Sequence, residues 1–111
     1  MASKGNGGVD LLRCGGDLDA SMMVRLKGRL SRLLAKNHRH LVLDFGRVRH
    51  VDLAGLGILV ERLQKVRAAR GDIRFARVRP EVSEAFRMVG LHHVIRTFGN
   101  FQEAARSFRV A

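Results

Sequence analysis

The residue types able to do chemistry concentrate in one stretch, Leu43-Asp44-Phe45-Gly46 through Val51-Asp52-Leu53-Ala54-Gly55-Leu56-Gly57. A short apolar run, a brief basic loop, then an acidic residue and a glycine pair opening an apolar-periodic segment reads as strand, loop and helix N-terminus. Amides at a helix start have no partner within the helix and their dipole favours negative charge, so the junction suits a phosphate or a partner's carboxylate. The side chain at its centre, Leu53, can carry neither phosphate nor charge. Asp44 and Asp52 could be paired for acid/base work, but no nucleophile and base stand in a recognised arrangement, and Asp44 reads better as a strand-end acid that stabilises the loop. Gly55 and Gly57 do not make a phosphate cradle, because no Gly-Lys-Ser/Thr follows. His38, His40, His50 and the pair His92-His93 lack cysteine or acidic partners at metal-site spacings and are expected to be solvated loop histidines, so neither a metal nor a cofactor is expected. Cys14 falls in a strand candidate and reads as a small buried residue.

The elements that must position these residues alternate in type. Residues 1–8 read as a flexible Gly-rich leader and 9–111 as the domain. Val9 to Cys14 is a short strand candidate, and Gly15-Gly16-Asp17-Leu18-Asp19 is a turn carrying acidic N-cap candidates. A helix follows from Ala20 to Asn37, with Met22, Met23, Leu26, Leu30, Leu33 and Leu34 on one face and a basic stripe of Arg25, Arg29, Arg32 and Lys36 on another. Gly28 lies inside it at a propensity cost of roughly 1 kcal/mol, which suggests close backbone packing. Leu41 to Phe45 is a buried strand, and Gly55 to Arg70 a helix stopped by Gly71. Ile73 to Val78 is a strand, Pro80 opens a helix that Gly90 and Leu91 close, and Val94 to Phe98 is a further strand. Asn100 and Glu103 have capping-box spacing ahead of a last helix through Phe108. The pattern implies one α/β domain, with a mixed, largely parallel sheet of about four strands and about four helices.

At 111 residues there is room for one hydrophobic core. A single cysteine excludes an internal disulfide and a multi-cysteine zinc site, so a reducing compartment, the cytoplasm, is expected. No apolar run approaches the roughly 20 residues that span a bilayer. The net charge of +11, from 21 basic and 10 acidic residues, fits a solvated basic surface, or contact with nucleic acid, anionic lipid or an acidic protein. Tyr and Trp are absent, and the six Phe are not interleaved with basic residues as in single-strand binders.

The ordered set of segments resembles a STAS domain of the bacterial anti-sigma factor antagonist type. The resemblance rests on Gly16-Asp17-Leu18-Asp19, on Leu41-Val42-Leu43-Asp44-Phe45 leading to Val51-Asp52-Leu53-Ala54-Gly55-Leu56-Gly57, and on Gly71-Asp72-Ile73-Arg74-Phe75 followed by Pro80-Glu81-Val82 and Gly90-Leu91. Members of that family usually have a further strand before the Gly-Asp-Leu-Asp turn, for which residues 1–8 look unsuited. The resemblance implies a partner-switching protein that is not an enzyme. An antagonist binds an anti-sigma factor or serine kinase of histidine-kinase-like ATPase fold, and phosphorylation of a serine after the motif's acidic residue turns binding off. Asp52 matches that acidic residue, Leu53 occupies the phosphoacceptor place, Ala54 a neighbouring position, and Gly55, Leu56 and Gly57 the helix opening. The implied partner surface comprises Asp17, Asp19, Arg49, His50, Asp52, Leu53, Ala54, Gly55 and Gly57. A phosphate carries a charge of about −1.5 to −2 that would disrupt an apolar interface; leucine removes that control at residue 53. Leu53 would then be an apolar anchor for the partner, or pack beneath the helix start. Two other classes stay open: an accessory STAS subunit of a membrane transport ATPase complex, and a nucleic-acid binder using Arg25, Arg29, Arg32, Arg62, Lys65 and Arg70.

Overall fold

The chain Leu41-Val42-Leu43 is apolar without alternation because its strand is covered on both faces, the mark of a central parallel strand. In the computed structural model, which describes residues 2–6 and 8–109, this strand is β3 (His40–Asp44). The remaining elements are β1 (Ala2–Asn6), β2 (Val9–Arg13), α1 (Ala20–Ala35), α2 (Leu53–Ala68), β4 (Asp72–Ala76), α3 (Pro80–Met88), β5 (Thr97–Phe98) and α4 (Phe101–Arg106), with a 3-10 turn at Leu91–His93. The sheet order is β1-β2-β3-β4-β5. Strands β2 to β5 pair in parallel, and β1 lies antiparallel on β2 with Asn6 opposite Val9 and Ala2 opposite Arg13.

Strand β1 corrects the expectation that residues 1–8 form a flexible leader. It is held by backbone pairing to β2, with the chain reversed near Gly8 at a φ of 83° that glycine adopts without strain. The last strand is shorter than expected, because Leu91 to His93 wind into the 3-10 turn and Val94 to Arg96 precede the ladder.

The period-2 alternation of the strands divides the core into two layers. Leu12, Leu41, Leu43, Ile73 and Phe75 face α1, α2 and α3, where Met23, Leu26, Leu30, Leu56, Leu59, Leu63 and Phe86 fill the main core. Phe45, Phe75 and Phe86 meet with ring centroids 5.3 to 6.1 Å apart, in edge-on or tilted pairs that aromatic quadrupoles favour. Val9, Leu11, Val42 and Ala76 face the other way and are covered by Ala104 and Ala105 of α4, with Phe98, Phe101 and Phe108 around them.

Both long helices end in the same way. Asn37 and Arg70 take left-handed conformations (φ 66° each), and the amides of His38 and Gly71 reach back to the carbonyls of Leu33 and Val66, a Schellman pattern. The stop of α2 is therefore made by Arg70, and Gly71 is needed for a different reason: a Cβ there would overlap the Arg39 carbonyl oxygen. Arg39 completes that junction by donating from Nη1 to the Ala69 carbonyl, 3.2 Å. In α4, Asn100 Oδ1 accepts from the Glu103 amide at 2.9 Å, while the Glu103 carboxylate accepts from Gly99, one residue before the expected reciprocal partner. Gly28 overturns a second expectation. No neighbouring backbone approaches it, and a Cβ there would meet only the end of the Arg32 side chain at 3.3 Å.

Candidate partner-binding site

Asp17 organises the site from the turn before α1. Its Oδ1 accepts from the amides of both Arg49 and His50, at 3.0 and 3.2 Å, tying the loop after β3 to the turn after β2. Those amides, the Arg49 amide foremost, hold the Asp17 carboxyl below its ordinary range. The tie continues as a short parallel bridge between Leu18 and Val51, in which the Leu18 amide donates to the His50 carbonyl and the Asp52 amide to the Leu18 carbonyl, 3.0 Å each. The residues one step beyond the bridge on each strand, Asp19 and Asp52, are both helix N-caps. Asp19 Oδ1 accepts from the Met22 amide at 2.8 Å and Asp52 Oδ1 from the Ala54 amide at 2.9 Å. Two helix starts thus stand side by side, each with one of its free amides met by its own carboxylate. Asp17, Leu18, Asp19, His50, Val51 and Asp52 line an open groove of about 360 Å³ between them.

Leu53 is the first residue of α2 and is 46% exposed, so the alternative in which it packs beneath the helix start does not hold. Ala54 and Gly57 are exposed beside it, and Arg49 is exposed on the loop without lining the groove. Gly55 is buried: a Cβ there would sit 2.7 Å from Met23 Cγ of α1, which makes it a packing residue of the helix pair. Eight of the nine residues expected at the partner surface are thus solvent-facing, the ninth being Gly55.

Behind the loop lies a support that sequence reasoning saw only as a strand-end acid. Asp44 is 6% exposed, and its Oδ1 accepts from the Gly46 amide at 2.8 Å and from Arg77 Nε at 3.0 Å. Arg79 donates from Nε to the Gly46 carbonyl at 2.9 Å. Arg77 crosses so close to Gly46 that a Cβ at 46 would overlap its guanidinium. Gly46 after β3 and the basic Arg77 and Arg79 after β4 were the available signal, but the pairing of Asp44 with Ala76 in the ladder is what joins them. Cys14 is buried next to this network. Burial, and secondarily the Asp44 charge, push its thiol up to about 12, as for an inert core cysteine.

Other expectations change in detail. Arg62, counted on the basic surface, is 8% exposed and donates to Ser31 Oγ at 2.7 Å and to the Glu61 carboxylate. The histidines are not all free loop side chains: His38, although exposed, has Nδ1 2.6 Å from Asp10 Oδ2, and the half-buried His40 of β3 stacks on Phe108 with centroids 5.0 Å apart. Among the described residues no three His, Cys, Asp or Glu side chains converge as a metal site, and no helix is long and apolar enough to cross a membrane.

The architecture defines a small α/β domain with a shallow surface formed by a loop and two paired helix starts. A sequence model of the STAS domain matches residues 1–104, and the chain belongs to that family. It is 25% identical over 96 residues to BtrV of Bordetella bronchiseptica, a candidate anti-sigma factor antagonist, covering 86% of this chain and 83% of BtrV. A candidate anti-sigma factor antagonist from Thermotoga maritima superposes with a TM-score of 0.90 at 18% identity, covering 98% of this chain and 94% of that one. The anti-sigma factor antagonist SpoIIAA of Bacillus, unphosphorylated, superposes at 0.82 with 17% identity, covering 99% and 97%. These structural likenesses establish the fold.

Proposed function

We propose that this protein is a non-enzymatic regulator that binds a kinase-like anti-sigma factor, or a partner of the same fold, through the loop 46–52, the start of α2 and the acidic turn at Asp17 and Asp19. One observation carries the reading. Leu53, at the position where the family's phosphoacceptor serine would stand, is an exposed apolar side chain at the first position of α2. Such a side chain gains by burial against a partner, up to about 2 kcal/mol for a leucine, and it offers no oxygen to phosphorylate. Binding is therefore without phospho-control at residue 53. The basic nucleic-acid reading is weakened because Arg62 turns inward.

The test is capture of a purified kinase-like anti-sigma factor from the same cell by the wild type, Leu53→Asp and Leu53→Ser, each then incubated with the factor and ATP. Leu53→Asp buries an unpaired carboxylate and is expected to weaken capture by at least about tenfold. Leu53→Ser restores a hydroxyl, and intact mass should show one added phosphate there and none on residues 52–57 of the wild type. Equal capture by all three proteins would move the interface away from residue 53.

A further inference from the structure

Helix α1 carries no acidic residue from Ala20 to Ala35, and its outward side is cut by an open groove of about 500 Å³ lined by Val24, Arg25, Gly28, Arg29 and Arg32. Two features of the groove lack an internal explanation. Val24 is 63% exposed at the end of the groove where the arginines of α1 begin. Gly28 occupies a helix interior, where glycine is unfavourable, yet no neighbouring element requires it; a Cβ would meet only the movable end of Arg32. What the missing side chain does is lower the floor of the groove. Among the described residues, the arginine ion pairs run through Arg13, Arg62, Arg67, Arg74 and Arg77, leaving Arg25 and Arg32 to act outward.

We propose that this groove docks an acidic segment of a protein partner, with an apolar side chain of that segment seated on Val24 and over Gly28. A small free anion fits poorly, because amides in the middle of a helix are already bonded within it and only mobile guanidiniums remain to hold it. Arg25 and Arg32 are two helical turns apart, about 10 Å, a spacing that carboxylates on a peptide can match. A nucleic-acid backbone is disfavoured at both ends. It has no use for the exposed Val24, and its phosphates would approach the acidic caps of the site, since Asp19 precedes Arg25 by six residues of helix, about 9 Å and within a Debye length at physiological salt. The groove is separate from Leu53 and does not depend on the function proposed for that residue.

The test uses the full chain and a fluorescent glutamate-rich peptide with a central leucine, long enough to span Arg25 to Arg32, followed by anisotropy at physiological salt. A duplex DNA of the same charge is the comparator. Saturable peptide binding is expected, weakened at least about tenfold in Arg25→Glu/Arg32→Glu and in the milder Arg25→Ala/Arg32→Ala, weakened by Gly28→Leu, and unchanged in Leu53→Asp. Circular dichroism melts identify any variant that fails to fold, and the alanine pair then decides. Peptide affinity indifferent to both arginine pairs, tighter binding of the DNA lost in the same variants, or an equal loss in Leu53→Asp would each overturn the proposal.

Discussion

A single oxygen of Asp17 accepts from two loop amides, so its removal loosens a segment more than thirty positions away in sequence. In Asp17→Ala the amides of Arg49 and His50 should exchange with deuterium at least about tenfold faster, whereas Asp17→Asn keeps an acceptor and most of the protection. The sign of the pH effect follows from the lowered carboxyl. Its contribution is present above the ordinary value of 3.8 and is lost as pH falls through the lower folded value, so the Arg49 amide resonance should shift in that acid range. Cys14 behaves in the opposite way. Its folded thiol holds a proton that the unfolded chain releases above 9.0, so this group's stabilising contribution falls as pH rises from there towards 12. Iodoacetamide at pH 8 should leave Cys14 unmodified in the native protein and alkylate it in denaturant, a difference read by intact mass.

At the scale of elements, the two glycines opening α2 have opposite roles. Gly55→Ala drives a methyl into Met23 and should lower the melting temperature by a cost of about 1–3 kcal/mol, while Gly57→Ala meets nothing within 4 Å and should stabilise by up to about 1 kcal/mol. Thermal melts of the two variants should move in opposite directions. The sequence treats this pair alike, because what separates them is the approach of α1. The same kind of limit explains other differences. The apolar runs around Leu41 and Ile73 declare their strands through side chains, whereas β1, Ala-Ser-Lys-Gly-Asn, declares nothing and exists through its pairing with β2. Helix starts were legible from Asp19, Asp52, Pro80 and Asn100, whose side chains or rings act locally. The bridge from Leu18 to Val51 joins turns far apart in sequence and leaves no local trace. Arg62 looked like its basic neighbours because periodicity alone does not reveal a hydrogen bond to Ser31 of another helix.

For the molecule as a whole, charge is distributed with a sense. The net value is +11, yet the groove between the helix starts is rimmed by Asp17, Asp19 and Asp52, and the unbroken basic face begins further along α1. Self-repulsion at this net charge destabilises the compact state, so the melting temperature should rise as sodium chloride is added from low ionic strength to about 0.15 M, where the Debye length is near 8 Å. A partner that covers both regions must present cations to the acidic rim and anions to the helix, which fixes its orientation as well as its affinity. The Leu18–Val51 bridge and the Asp17 hydrogen bonds also bear on how such specificity can be transplanted. The proposed recognition surface is built from two pieces of chain that hold each other in shape, so a graft carrying only the segment around residue 53 into another scaffold would arrive without its mate. An exchange of partner preference between two such domains has to move the turn at 15–19 and the loop at 46–54 together.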